Sequence, residues 1–258
     1  MNNYFIIFLI FLNLFLIYYY NKRKVKNLFF KSQIQSVDLE KVHNIFLPSE
    51  NRKFKFPKEE TIVNLFFINP SFNIVGMTQD YEAWILSSLA KLSKNIFEFG
   101  TCSGKTTALF ALNSPQDSKI NTITLNPDHR SNLSFQQIDE KIASRNAVRE
   151  SIYNEFIFSN MSIKNKINVI FQDSMQFNID RYLNSMDLIF IDGGHNYTCV
   201  KNDSEKSFDM IKDGGYIFWH DYNVSKRSCR DVVKYIHEIS KVKKIFHIKN
   251  TSLCYYKK

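Results

Sequence analysis

Six of the seven glycines in this chain lie beside predicted strands, and this placement constrains the fold more than any other feature. They are Gly100, Gly104, Gly193, Gly194, Gly214 and Gly215. The first two pairs follow the apolar segments NIFEF and DLIFID, and the third pair precedes YIFWHD. Ligands of open α/β sheets bind at the carboxyl ends of strands, where glycine permits a close approach. The pattern predicts a ligand site at that edge, although ordinary turns are enough to explain the third pair.

Apolar strands alternate with helical segments over most of the chain. The predicted strands are Asn95–Phe99, Ile120–Leu125, Lys166–Phe171, Asp187–Asp192, Tyr216–Asp221, Lys244–Ile248 and Ser252–Tyr256. Helices are predicted from Thr78 onward, from Lys105 to about Leu112, and over roughly 134–158, 198–212 and 231–240. This alternation predicts a Rossmann-like, doubly wound α/β fold with a mostly parallel sheet. No helix separates the last two strands, so we expect an antiparallel hairpin at one edge.

The N-terminus contains a long apolar run, YFIIFLIFLNLFLIYYY from Tyr4 to Tyr20, without a charge. As a helix it would extend about 25 Å, close to the ~30 Å hydrocarbon core of a bilayer. Tyrosines end the run and the basic segment KRKVK follows, as at a membrane interface. A cleaved signal peptide has the opposite order of charge, and a buried core helix is the alternative. We therefore expect a transmembrane helix over residues 1–21, in a single-pass membrane protein whose main domain is cytoplasmic.

Positive charge is concentrated directly after this run. Five cations precede the first acidic residue, Asp38, and account for over half of the net charge of +9: Lys22, Arg23, Lys24, Lys26 and Lys31. The remainder is only mildly basic, which argues against a nucleic-acid partner. We interpret residues 22–77 as a basic juxtamembrane tether and lead-in segment, and 78–258 as the main domain. Four cysteines without a Cys-x-x-Cys pair argue against a zinc site or a disulfide framework.

The loop FEFGTCSGKTT, Phe97–Thr107, allows three interpretations. Its G-x-x-x-G-K-T resembles a phosphate-binding P-loop, but that motif has four residues between its glycines and this loop has three. The spacing of a dinucleotide-binding motif, G-x-G-x-x-G, is also absent. The third interpretation begins with Glu98. An acidic residue near the end of a strand, followed by G-x-x-x-G, resembles the first motif of class I S-adenosylmethionine (SAM) methyltransferases.

The resemblance becomes specific when four segments are considered together. FEFGTCSGKTTALFALN, TITLNPD, INVIFQDS and DLIFIDGGHNYTCVKNDSEKSFDMIKDGGYIFWHDYN have the order and spacing of the methyltransferase domain 24 group. This group belongs to the small-molecule O-methyltransferase-like branch of the class I enzymes. The match extends from about Thr78 to Tyr256. It implies a seven-stranded sheet with one antiparallel edge strand, and SAM as the cofactor.

The resemblance also implies which residues bind the cofactor. By position they are Glu98, Gly100, Thr101, Ser103 and Gly104 at the methionine part, Asn126 at the ribose, Asp173 and Ser174 at the adenine, and Asp192 beneath the reacting methyl group. Asn126 departs from the family pattern, in which an acidic residue at the end of the second strand binds the ribose hydroxyls. An amide accepts one hydrogen bond and donates another, so we expect weaker binding of the ribose.

Polar residues at the ends of two strands predict the reaction chemistry. Asp192 and Asp221 end strands that should be adjacent, so their carboxylates are expected to converge. Such a pair suits a divalent cation such as Mg²⁺, which would acidify an acceptor hydroxyl. Tyr222 replaces the asparagine that completes the metal site in catechol-type methyltransferases. His195 and His220 are candidate bases and, with Asp192, the predicted catalytic residues.

Three functions are compatible with the sequence. The first is a SAM-dependent methyltransferase that modifies a hydroxyl of a small-molecule, glycan or lipid-linked acceptor at the membrane. The second is a non-catalytic, membrane-tethered binding module with the same fold, and the third is a P-loop-like phosphotransferase. Glu98 and Asp192 favour binding of the cofactor and say less about whether the protein catalyses its transfer.

Overall fold

Eight strands form one sheet in the computed structural model, which describes residues 8–20, 34–48, 58–66, 78–128 and 136–258. They are β1 (Gln35–Val37), β2 (Asn95–Phe99), β3 (Lys119–Thr124), β4 (Ile167–Phe171), β5 (Met186–Ile191), β6 (Ile211–Trp219), β7 (Phe246–Ile248) and β8 (Cys254–Lys257). Their order across the sheet is β1-β7-β8-β6-β5-β2-β3-β4. Only the pairs that include β8 are antiparallel. The predicted Rossmann-like, mostly parallel sheet is confirmed.

Helices cover both faces of this sheet. These helices are α2 (Asp80–Ala90), α3 (Lys105–Asn113), α4 (Lys141–Glu150), α5 (Tyr197–Met210) and α6 (Arg230–Ile239). A further described helix, residues 8–20 (α1), belongs to a separate unit of the chain. Leu188 and Phe190 of β5 pack in a buried cluster with residues of α2 and α3, whereas Ile189 and Ile191 pack with residues of α5 and α6. A strand that is buried on both faces requires a continuous apolar sequence, which explains why the β5 segment contains LIFI.

The predicted seven-stranded sheet with an antiparallel edge strand is wrong in two respects. β1 adds an eighth strand that pairs with β7 in parallel. The antiparallel strand β8 lies between β7 and β6, so it is not at the edge. The predicted hairpin of the last two strands is present as β7 and β8. β1 has only three residues, QSV, which is too short for a pattern of alternation to be visible in the sequence.

The predicted transmembrane helix and the single-pass membrane localisation are also wrong. Among the described residues, no helix is both long enough and apolar enough to cross a bilayer. The prediction relied on the apolar run from Tyr4 to Tyr20, of which residues 4–7 lie outside the described residues. The boundaries proposed at residues 21/22 and 77/78 stay predictions.

Backbone hydrogen bonds continue the sheet for one residue beyond three of its central strands. Gly100 N donates to Ile123 O at 2.9 Å, Asp192 N to Phe99 O at 2.8 Å, and His220 N to Ile191 O at 3.1 Å. Gly100 has a φ of +101°, and a Cβ at this position would lie 2.1 Å from the carbonyl oxygen of Asp192. Only glycine allows the two strand ends to approach this closely.

We predict that Gly100→Ala lowers the free energy of unfolding by about 3 kcal/mol or more, because its methyl group meets fixed backbone. Gly214→Ala is the matched control. Gly214 also has a left-handed backbone, with φ +78°, but no atom lies within 4 Å of its added Cβ. This control should lose only about 1 kcal/mol. Urea denaturation measures both variants, and equal losses would contradict the claim that the contact with Asp192 requires glycine.

Candidate active site

A cavity opens at the carboxyl edge of the sheet. Its lining comes from the segments that follow β2, β3, β4 and β5, from α4, and from the start of α5. Four predicted cofactor-binding residues line it: Gly100, Asp173, Ser174 and Asp192. The other five are not among its lining residues: Glu98, Thr101, Ser103, Gly104 and Asn126. The structure thus brings four of the nine predicted residues to a common space, and a cofactor role stays a prediction for all nine.

The charge of the cavity is entirely negative in the described part of the chain. Four carboxylates line it, and no lysine or arginine does. The carboxylates belong to Glu150, Asp173, Asp192 and Asp203. Such a lining attracts cations and repels phosphate groups. Lys105, the cation of the P-loop-like sequence, is buried and donates to the carbonyl of Thr78 at 3.0 Å. Lys105 is therefore not placed to bind a phosphate in the cavity, which argues against the P-loop interpretation.

Glu98 is completely buried within the sheet rather than exposed to the cavity. Its Oε2 accepts hydrogen bonds from the hydroxyls of Thr107 and Thr122, the latter at 2.7 Å. Burial raises the pKa of Glu98 to about 8, although the two hydroxyls oppose this shift. The side chain is therefore neutral near pH 7, and its hydrogen bonds connect β2 with α3 and β3.

The remainder of the glycine loop has contacts that fix its shape. Thr101 shares a 2.7 Å hydrogen bond with Thr122, and the carbonyl of Ser103 accepts from Ile157 N at 3.0 Å. Gly104 precedes α3 with a φ of +82°, and a Cβ there would approach the Phe158 ring to 2.6 Å. These contacts explain the pattern of small residues without a ligand.

At the end of β3 the cavity wall is formed by residues that the sequence did not identify. β3 ends at Thr124, and Thr124 and Leu125 line the cavity. Asn126 instead accepts a hydrogen bond from Asp128 N at 2.9 Å. The predicted strand ended one residue too late, at Leu125. A role of Asn126 at the ribose stays a prediction.

The predicted carboxylates and imidazoles do come together. His195 Nε2 lies 3.0 Å from Asp221 Oδ2 and 4.0 Å from Asp192 Oδ1. His220 Nδ1 lies 2.9 Å from Asp192 Oδ1 and 3.4 Å from Asp221 Oδ2. Asp221 is in a left-handed conformation with φ +58°, a strained geometry that often occurs at functional sites. One ligand atom from each of Asp192, His195 and Asp221 lies within 4.8 Å of the others.

A third carboxylate, which the sequence did not identify, completes this cluster. Glu82 of α2 is 1% exposed, and its Oε2 lies 3.1 Å from His220 Nε2. Its Oε1 accepts from the backbone N and the hydroxyl of Ser252, at 2.5 and 2.9 Å. Both ring nitrogens of His220 therefore face carboxylates. The only sequence signal was the position of Glu82 three residues after Gln79, which is also typical of a helix cap.

The carboxylates around His220 favour the protonated form of its imidazole. Burial alone would lower its pKa, but the charge of Asp192 and the hydrogen bonds to Asp192, Asp221 and Glu82 raise the pKa well above its usual value. Burial would raise the pKa of Asp221, but the hydrogen bond from His220 and the charge of His195 hold it well below its usual range. A doubly protonated His220 cannot accept a further proton, so the geometry does not favour it as the base.

His195 differs from His220 in having one ring nitrogen without a carboxylate. In the described part of the chain, its Nδ1 has no hydrogen-bond partner. His195 does not line the large cavity but a small neighbouring one, and the two cavities share Asp192, Gly193 and Gly194. Asp192 is thus the residue that connects the cavity to the cluster.

The part of the chain that forms this site matches a known protein-family model. Residues 97–222 match the family model of methyltransferase domain 24, described as a methyltransferase domain. This match begins in the glycine loop and ends beside Asp221. The resemblance to class I, SAM-dependent methyltransferases that the motifs predict is confirmed over this part of the chain.

Solved structures resemble the chain at low sequence identity. The SAH-bound methyltransferase PaMTH1 of Podospora anserina is 11% identical, with a TM-score of 0.51, and the alignment covers 70% of this chain and 79% of that chain. An O-methyltransferase of Bacillus cereus in complex with SAH is 14% identical, with a TM-score of 0.48 and coverages of 71% and 84%. The O-methyltransferase TomG of Streptomyces achromogenes, involved in tomaymycin synthesis, is 13% identical, with a TM-score of 0.45 and coverages of 69% and 79%. Of these three, the P. anserina structure carries the argument, and it shows the shared fold. No curated protein matches the chain.

We predict that Glu98→Gln removes a pH dependence of stability. The folded-state pKa of about 8 lies above the ordinary value of 4.5, so stability is complete below pH 4.5 and declines as pH rises toward 8. A glutamine carbonyl can still accept from both threonines. The melting temperature of the variant should therefore rise relative to wild type between pH 5 and pH 8. Exposed Glu60→Gln is the control, and parallel profiles for wild type and Glu98→Gln would contradict the buried neutral carboxyl.

Proposed function

We propose that this protein is a SAM-dependent O-methyltransferase that modifies a hydroxyl of a small-molecule acceptor. The observation that carries the proposal is the joining of two features at Asp192: a cavity whose described lining has negative charges and no positive ones, and a cluster of carboxylates and imidazoles. The first feature suits a cationic cofactor, and the second suits proton removal. A glycan or lipid-linked acceptor stays a prediction from the sequence.

The residues present fit the cofactor, whose sulfonium and ammonium groups are positive. Gly100, Asp173, Ser174 and Asp192 would hold it, because they line the acidic cavity. When bound, the cofactor supplies a methyl group on a sulfonium, which becomes a neutral thioether after transfer. An ATP-binding site would need cations toward its phosphates, and the described lining has none. The acidic lining therefore favours methyl transfer over phosphoryl transfer.

The residue we propose to remove the acceptor proton is His195. Its Nε2 lies 3.0 Å from Asp221 Oδ2. A proton on Nε2, beside this carboxylate, would leave Nδ1 to accept the acceptor proton as the acceptor oxygen forms its new bond to carbon. An imidazole is well suited to proton exchange near neutral pH. Asp221 stabilises the imidazolium that forms, and His220 keeps Asp221 and Asp192 in place. Positioned acid–base groups of this type contribute about 10²–10⁴-fold in rate.

A second account is favoured by one observation, the closeness of the ligand atoms of Asp192, His195 and Asp221. Two carboxylate oxygens fit a hard divalent cation such as Mg²⁺, and Asp192 and Asp221 would hold it. Such a cation would acidify a bound hydroxyl. In that account His195 contributes a ligand instead of a base, so the two accounts make opposite predictions for a chelator.

We predict that the protein binds SAM and S-adenosylhomocysteine but not ATP with Mg²⁺, as measured by calorimetric titration. Ala147→Trp should abolish this binding, because Ala147 of α4 lines the cavity and an indole would fill it. Arg145→Trp is the matched control, since Arg145 is exposed on the same helix, and it should bind as wild type does. Binding of ATP without a SAM signal, or equal binding by both variants, would contradict the proposal.

For the chemical step, we predict that EDTA leaves the methylation of small phenolic acceptors within about twofold of the untreated rate. His195→Ala should lower kcat by about 10²–10⁴-fold, with the Kd for SAM nearly unchanged. His43→Ala, which removes an imidazole outside the cluster, is the control. The formation of S-adenosylhomocysteine measures each rate. Loss of activity in EDTA, restored by Mg²⁺, would contradict the base mechanism and assign the cation to Asp192 and Asp221.

A further inference from the structure

The cavity wall that follows β4 belongs to the edge strand of the sheet. β4 pairs only with β3, so no second strand supports the segment after it. Residues 172–176 of this segment line the cavity. Within the segment, Met175 N donates to Asp173 Oδ1 at 2.9 Å and Gln176 N to Asp173 O at 3.0 Å. These local bonds shape the turn. Its first residue is bonded to the neighbouring strand, since Gln172 N donates to Thr124 O at 2.9 Å, but the residues that follow need another attachment to the domain.

Helix α5 supplies that attachment through one lysine. The ammonium group of Lys206 donates to three backbone carbonyls of the segment, those of Ser174, Met175 (3.2 Å) and Phe177 (2.8 Å). Asn202, one turn earlier on α5, also donates to the carbonyl of Ser174, at 3.1 Å. An ammonium has three donor hydrogens, so this contact uses the whole hydrogen-bonding capacity of the side chain.

The charge around Lys206 supports the same arrangement. Asp203 lies one position after Asn202, is 2% exposed and lines the cavity. Burial raises the pKa of Asp203 to about 6, while hydrogen bonds to Ser174 and Asn202 and the charge of Lys206 oppose this shift. Lys206 therefore satisfies the carbonyls of the segment and also balances a carboxylate that faces the cavity.

α5 is suited to this role by its position in the chain. It begins at Tyr197, directly after a segment from which Asp192, Gly193, Gly194 and Asn196 form another part of the cavity wall. One rigid helix thus connects both walls, the first through the chain itself and the second through Lys206. Displacing one wall would change the separation of groups that contact a bound ligand, and binding sites are sensitive to errors well below 1 Å.

We infer that Lys206 is a positioning residue for cofactor binding, which holds the 172–177 segment against α5 in the geometry that the cofactor requires. This inference rests on the proposed function, because it takes the cavity as the SAM site. Lys206 is not expected to contact the reacting atoms. Its loss should therefore affect affinity for SAM and S-adenosylhomocysteine more than the chemical step at saturating cofactor.

The test compares Lys206→Met with Lys201→Met in the full-length protein. Lys201 is on the same helix, but among the described residues its ammonium pairs only with the exposed Glu205, at 3.3 Å. Methionine keeps much of the length of the side chain and removes the charge. We expect the Kd for SAM and for S-adenosylhomocysteine to rise about tenfold in Lys206→Met, or about 1.4 kcal/mol. In Lys201→Met both Kd values should stay within about twofold of wild type, and kcat at saturating SAM should be preserved in both variants.

Hydrogen exchange provides a readout that does not depend on the cofactor. In the ligand-free protein, Lys206→Met should accelerate exchange in a peptide covering residues 172–177 and leave a peptide from β5 unchanged. If wild type binds no SAM, the proposed function fails. If wild type binds SAM and Lys206→Met binds it equally well, the proposed function stands and this inference is overturned. Weaker binding without faster exchange in the segment would also overturn it, because the effect would not act through the wall.

Discussion

The imidazole of His220 lies between three carboxylates, and the carboxyl edge of the sheet depends on this balance of charge. Asp192 follows β5, Asp221 follows β6, and Glu82 comes from α2. Buried carboxylates are costly unless a partner offsets them, and His220 contacts all three of these. Because Glu82 also accepts two hydrogen bonds from Ser252, the cation further ties the β7–β8 hairpin to the site. A helix, two strand ends and a hairpin are thus held in one place by one protonated ring.

Asp192 connects this cluster to the large cavity, because its side chain contacts His220 and it also lines the cavity. All charged side chains among the described lining residues of the cavity are negative. The cluster has one imidazole with a ring nitrogen that faces no carboxylate. An acidic chamber for a cationic cofactor, adjoining a group that can take a proton, is the arrangement that methyl transfer to a hydroxyl needs. Little covalent chemistry is required from the protein, so alignment and proton removal are the main tasks of these residues.

The central strands and the close approach at the glycine loop could be predicted from the sequence, because each has a strong local cause. A strand buried on both faces needs an apolar run such as LIFI, and the contact of Gly100 with the Asp192 backbone excludes a side chain. The prediction that Asp192 and Asp221 lie close together, which followed from the adjacent strands, is confirmed. The three-residue strand β1 gave no such signal, because its place is determined by pairing with β7, which is over 200 residues away in the chain.

Other parts of the site depend on tertiary contacts that no local pattern encodes. Glu98 and Lys105 occur in a sequence that resembles ligand-binding motifs, yet both are buried in contacts within the protein. Glu82, Asp203 and Lys206 look like ordinary polar residues of exposed helices, and only the packing of α2 and α5 gives them a role. The N-terminal apolar run shows the same limit, since composition predicted a membrane span that the described helix does not support.

The most direct measurement of the central claim is a crystal structure of the protein grown with S-adenosylhomocysteine. The account predicts that this ligand lies in the acidic cavity, with contacts to Gly100, to the 172–176 segment and to Asp192. Its sulfur should be on the side of Asp192 and His195, where the acceptor oxygen would be methylated. Density for the ligand elsewhere on the protein, or an unfilled cavity at saturating ligand, would contradict the account.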